Sequence, residues 1–161
     1  MSLRLSVFPS LASILFVVSG AVACGGGGDD DDGDGVNAEC MEATQHSDLA
    51  WIQENIFNGS CALSAACHRG DAPDARGLSL EEGMSEANLV GVPAEGPTAD
   101  GLDRVVPGDP DNSYLMIILG QFGTDDPRIP DVGTMPQSSP LLCAEERDAI
   151  QRWIEELPAA N

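Results

Sequence analysis

Cysteine placement is what most constrains this chain. Its five cysteines stand at 24, 40, 61, 67 and 143. Whether such thiols become cross-links, metal ligands or attachment points depends on the compartment where the chain folds, and the first residues indicate that compartment. Arg4 precedes an apolar stretch from Leu11 to Val18, which gives way to small residues from Ser19 to Ala23. That is the order of an export signal. The stretch is too short to cross a bilayer as a helix, which takes about 20 apolar residues. Residues 1–23 therefore read as a signal peptide, and the mature chain is expected in the cell envelope, facing the periplasm or the exterior.

Ala21-Val22-Ala23 is an Ala-x-Ala cleavage site. Followed by Cys24, the same stretch looks like a bacterial lipobox, in which the cysteine is lipidated and becomes residue one. Both readings cut the same bond, and free secretion with an unpaired thiol is the alternative. A lipid on Cys24, of the palmitate type, would anchor the chain to the inner or outer membrane. From Gly25 to Gly35 the sequence reads GGGGDDDDGDG, with nothing to bury and so no return on the entropy of ordering it. Residues 24–44 are thus expected to be the lipidated cysteine and a disordered Gly/Asp-rich tether. Asp30, Asp32, Asp34 and Gly35 fit the opening of an EF-hand loop, but the twelfth position is Met41 where the motif needs a bidentate Glu. A solvated spacer is the better reading.

Removing residues 1–23 takes away Arg4 and no acid, leaving 27 acidic against 6 basic side chains and a formal charge of −21. Nucleic acid is excluded as a partner, because binding it requires a basic footprint. A protein partner, such as a redox protein, is expected to present a basic surface.

Residues 45–161 have the length of one domain with one core. Ser47 or Asp48 is placed to cap a helix over 48–57, with Leu49, Ile52 and Ile56 on one face and Asn58-Gly59 as its end. Ser79-Leu80-Glu81-Glu82 has capping-box spacing, with a turn at 85–90 as the other possibility. Asp109-Pro110-Asp111 opens a buried helix running to Leu119, stopped by Gly120. A long Pro/Gly/Asp-rich loop over 122–140 contains Thr134-Met135-Pro136, and long loops in small domains are usually functional. Ile150, Trp153, Ile154 and Leu157 recur at helical spacing in the last element. No alternating strand pattern appears, so the domain reads as all-α with long loops.

Cys61, Cys67 and His68 fall in one short loop. Two cysteines and an adjacent histidine suggest haem attachment, in which two thiols add to porphyrin vinyl groups and the histidine becomes an axial iron ligand. The usual signature has two residues between the cysteines, and here there are five, Ala62 to Ala66. The sequence resembles the class I cytochromes c, and more closely a cytochrome-c-like domain of bacterial lipoproteins of myxobacterial and related type. The matching stretches are Ile56-Phe57, Cys67-His68, Gly77-Leu78-Ser79-Leu80, Leu89-Val90-Gly91-Val92, Arg104-Val105-Val106-Pro107-Gly108-Asp109-Pro110, Ser113-Tyr114-Leu115, Met135-Pro136 and Ile150 through Trp153-Ile154.

The resemblance implies a small cytochrome-c-like fold, thioether links at Cys61 and Cys67, and His68 and Met135 as the two axial iron ligands. It also implies a one-electron carrier without catalytic residues. The competing reading is a haem-free envelope lipoprotein used for binding or structure, with Cys61 joined to Cys67, His68 on the surface and Met135 filling the core. A zinc or other metal site is a third. His46 would replace Met135 as axial ligand in a variant of the first. Cys40 lies ahead of the first helix and Cys143 at the start of the last, where such helices commonly cross, so a disulfide between them is expected, with two free thiols as the alternative. Trp51 and Trp153 are expected to pack where those helices meet, or to line a cofactor pocket.

Overall fold

The computed structural model describes residues 38–70, 75–137 and 139–159. The expected signal peptide at 1–23, the expected lipidation site at Cys24 and the expected spacer at 25–35 lie outside the described residues. Five helices carry the fold: α1 (Ala38–Ala43), α2 (Leu49–Ile52), α3 (Ser85–Leu89), α4 (Tyr114–Ile118) and α5 (Ala144–Glu156). Among the described residues no strand forms, only isolated bridges such as Val90 with Val105 and Asp103 with Ser113. The domain is helical with long connections, as the sequence indicates. No described helix is long and apolar enough to cross a membrane.

α5 is the element most legible in sequence. Ala149, Ile150, Trp153 and Ile154 are buried along one face, and Cys143 with Glu146 forms its capping box. The expected disulfide between Cys40 and Cys143 is present, with Cα atoms 6.1 Å apart, and it ties α1 to α5. α1 lies within the stretch read as tether, and the ordered chain extends ahead of Gln45. A six-residue helix is not stable alone. Here Ala43 is fully buried, and the Arg152 guanidinium donates to the carbonyls of Ala43 (2.7 Å) and His46 (2.8 Å).

Asp48 caps α2, accepting from the Trp51 N–H at 2.8 Å. The helix does not end at Asn58-Gly59. It widens into a π-helical segment over Gln53–Cys61, a form that often marks functional sites. Gln53 is buried there and donates both to Asn58 Oδ1 (2.8 Å) and to the Leu80 carbonyl (2.9 Å), while its Oε1 accepts from Ser85 Oγ. That polar network offsets the poorer helix geometry and delivers Cys61 to the interior. Ser79–Glu82 forms no helix, because Ser79 Oγ and the Gly70 N–H both donate to Glu81. The second possibility, a turn of helix at 85–90, is realised as α3.

The segment opened by Asp109 divides in two. Asp109 caps a single 3-10 turn over Pro110–Asn112, and Ser113 is extended before α4 begins. Ser113 is fully buried, its Oγ donating to the Asp109 carbonyl and accepting from the Val106 N–H, each at 2.8 Å. A side chain that satisfies backbone groups in this way competes with a continuous helix. The core gathers Ile52, Ile56, Phe57, Leu89, Met116 and Ile150, and Trp51 and Trp153 both pack there.

Candidate functional site

A cavity of about 620 Å³ opens between the Cys61–Leu80 segment, α4 and the 130–137 loop. Its size falls in the ordinary range for small-molecule sites, about 300–1,000 Å³. Leu78, Leu80, Leu89, Leu115, Ile118 and Leu119 make the wall largely apolar. Cys61, Cys67, His68 and Met135 line this one space, so the four residues singled out in sequence are brought together although Met135 lies far along the chain.

Local hydrogen bonds explain how the five-residue spacing is accommodated. The Cys67 N–H donates to the Ser64 carbonyl (3.0 Å), the Ala66 N–H to Ser64 Oγ (3.2 Å), and the His68 N–H returns to the Cys61 carbonyl (3.0 Å). The intervening residues are taken up in a turn, and the chain re-enters level with Cys61. Cys61 is a free thiol whose open side is the cavity. Burial above all, with the Glu146 carboxylate adding, pushes its pKa up to about 12, so the thiol is protonated in the folded chain. Cys67 is disulfide-bonded. Since Cys61 is free, the expected alternative of a Cys61–Cys67 disulfide does not form.

His68 is half-buried. Its backbone is held at both ends, and its Nδ1 lies 3.2 Å from the Leu78 carbonyl. With the proton on Nδ1, that bond fixes the tautomer and leaves Nε2 with a lone pair, the arrangement typical of a metal-ligating histidine. Burial lowers the His68 pKa, the Leu78 carbonyl opposing this and the nearby Arg104 charge adding to it. A neutral imidazole results, as ligation requires. Across the cavity the Met135 N–H donates to the Ile118 carbonyl at 2.8 Å, which fixes the thioether-bearing residue against α4.

His46 is not part of this site. Its ring stacks on Trp51 with centroids 4.4 Å apart and planes 4° from parallel, and Nδ1 meets Asp48 at 3.2 Å. Neither Trp51 nor Trp153 lines the cavity. The metal-site alternative finds no three-ligand cluster at 61–68. Among the described residues the one such group is Cys40, Cys143 and Glu145, and its two sulfurs are already joined.

One cavity-lining residue has no role assigned from the sequence. Arg104 is buried and lines the cavity. The available signal is an arginine heading the apolar run Val105-Val106. No protein-family model, no curated protein and no solved structure matches this chain.

Proposed function

We propose that the chain is an exported, lipid-anchored carrier of covalently bound haem that passes single electrons. The observation that carries the reading is the convergence of Cys61, Cys67, His68 and Met135 on one largely apolar cavity, with the His68 Nδ1 bond to Leu78 supporting ligation through Nε2. The residues present suit the group: thiols to bond its edge, an imidazole and a thioether as ligands, and aliphatic walls that exclude water. Bound haem would supply a reversible one-electron couple, and a thioether ligand raises its potential.

Cys61 and Cys67 would hold the group covalently, His68 and Met135 would be its iron ligands, and the Leu78 carbonyl would orient His68. The thioether at Cys67 and the lipid on Cys24 both form from free thiols, so the Cys67 disulfide has first to be opened by a dithiol reductant. Cys61 and Cys67 then each add across one vinyl group with no further redox change. The signal peptide and the lipid on Cys24 place the carrier on a membrane surface of the cell envelope, and its charge of −21 favours a redox partner with a basic surface. No enzymatic step is assigned to it.

Expression of the full precursor in a host with cytochrome c maturation machinery tests this. The expected product is coloured, with a reduced c-type band, and carries one haem by intact mass. Met135→Ala then changes the axial-ligand spectrum while the haem stays attached. A colourless product whose mass shows only disulfides defeats the proposal and favours a disulfide-built envelope lipoprotein.

A further inference from the structure

Arg104 is a buried charge without a counter-charge among the described residues. Its side chain belongs to a residue only 8 % exposed, and an ionised group at such a position is costly unless paired. Nη1 donates to the Asn88 carbonyl at 2.8 Å and Nη2 to the Arg76 carbonyl at 3.1 Å. Both acceptors are neutral. No carboxylate lies within ion-pair distance among the described residues, although the chain has 27 acids. A guanidinium carries five N–H donors, so the Nε–H and others have no acceptor among the described residues.

Its placement is rigid. The Arg104 N–H donates to the Val92 carbonyl (2.7 Å), and its own carbonyl accepts from the Leu115 N–H (2.9 Å). Arg76, whose carbonyl Arg104 holds, has a φ of 49°, a left-handed conformation that a non-glycine residue adopts at a cost and that neighbouring contacts must maintain. Two arginines of an arginine-poor chain thus reach one wall of an apolar cavity, where Glu95 is the only acid among the described residues. In a protein this acidic the wall is locally positive.

We propose that Arg104 is the anion anchor of the cavity, taking an ionised carboxylate of the molecule that fills it through the unused edge of its guanidinium. Arginine suits this role because its planar fork matches a carboxylate with two parallel hydrogen bonds. Arg76 adds positive charge at the same wall. The inference rests on the haem reading for the identity of the carboxylate, which is then a propionate.

The test uses the full mature chain made without haem, titrated with protoporphyrin IX and with its dimethyl ester while tryptophan fluorescence is followed. The wild type is expected to bind the diacid at least tenfold more tightly than the diester, and Arg104→Met to bind the two alike. Arg104→Gln keeps an N–H donor for one of the carbonyls, and it serves in the same comparison if Arg104→Met does not fold. Equal binding of acid and ester by the wild type overturns the inference, as does a preference that survives loss of the guanidinium. If neither porphyrin binds, the haem reading falls by itself. The anchor is then decided by the same variants with hexadecanoate and methyl hexadecanoate, where equal affinities overturn it and a guanidinium-dependent preference for the acid supports it.

Discussion

Removing the Cys40–Cys143 disulfide by the double substitution Cys40→Ser, Cys143→Ser should cost most of the stability that one covalent link can supply. The bond spans a sequence separation of 103 residues, for which loss of chain entropy in the unfolded state corresponds to about 4.7 kcal/mol. Measured values for native disulfides run about 2–5 kcal/mol, against a total of about 5–15 kcal/mol for a domain. Serine is the appropriate replacement at 143, because that residue caps α5 and serine is a strong N-cap. The Cys143 N–H bond to Glu146 (3.0 Å) comes from backbone and survives. The loss therefore reports the cross-link and not the helix start. Urea unfolding followed by fluorescence of the core residues Trp51 and Trp153 measures it, and the melting temperature should fall by roughly 10–20 °C. α1 should also become sensitive to protease. A loss below about 1 kcal/mol would refute the argument that this link, rather than packing, holds α1 to α5.

Phe57→Ala should destabilise by about 3–5 kcal/mol, since Phe57 is 1 % exposed at the centre of the core; a loss under about 1 kcal/mol in the same urea assay would contradict its placement. Arg152→Met removes both hydrogen bonds to the Ala43 and His46 carbonyls and should cost about 1–3 kcal/mol, read by thermal melting. Glu146 gives a pH effect. Burial raises its pKa, against the Cys143 N–H, which lowers it. The folded state therefore holds this proton to higher pH than the unfolded chain does. Its contribution favours folding at low pH and is lost as pH rises from about 4.5 through the folded value. Glu146→Gln, which can still close the capping box, should flatten that part of the stability–pH curve, and an unchanged curve would show that another group titrates there.

Periodicity and capping chemistry made much of this protein legible without coordinates. The apolar spacing of Ile150, Trp153 and Ile154 marks α5, Asp48 marks the start of α2, and the absence of alternation marks a domain without strands. Each is a signal confined to one turn or one helix face. The Cys40–Cys143 pairing was also legible, from positions ahead of the first long helix and at the start of the last. Where the sequence reading erred, a side-chain hydrogen bond to another segment or back to the preceding turn overrode the helix signal. Asn58-Gly59 ends a helix by local rules, but Gln53, tied to Asn58, Leu80 and Ser85, carries the helix on to Cys61. Asp109 opens a helix by local rules, but the Ser113 hydroxyl, bonded back to Val106 and Asp109, splits it.

The same distinction applies at the cavity. Cys61, Cys67, His68 and Met135 could be chosen from the sequence because each belongs to a short recognisable pattern. Their convergence on one space, the tautomer-fixing Leu78 carbonyl, the separation of Cys61 from Cys67 as a free thiol, and the unpaired charge of Arg104 are tertiary facts. Residue type and spacing tell which groups a chain has to offer. Only the folded backbone decides which of them share a low-dielectric space, and there a neutral imidazole, a protonated thiol and a buried guanidinium acquire properties that none of them has in water.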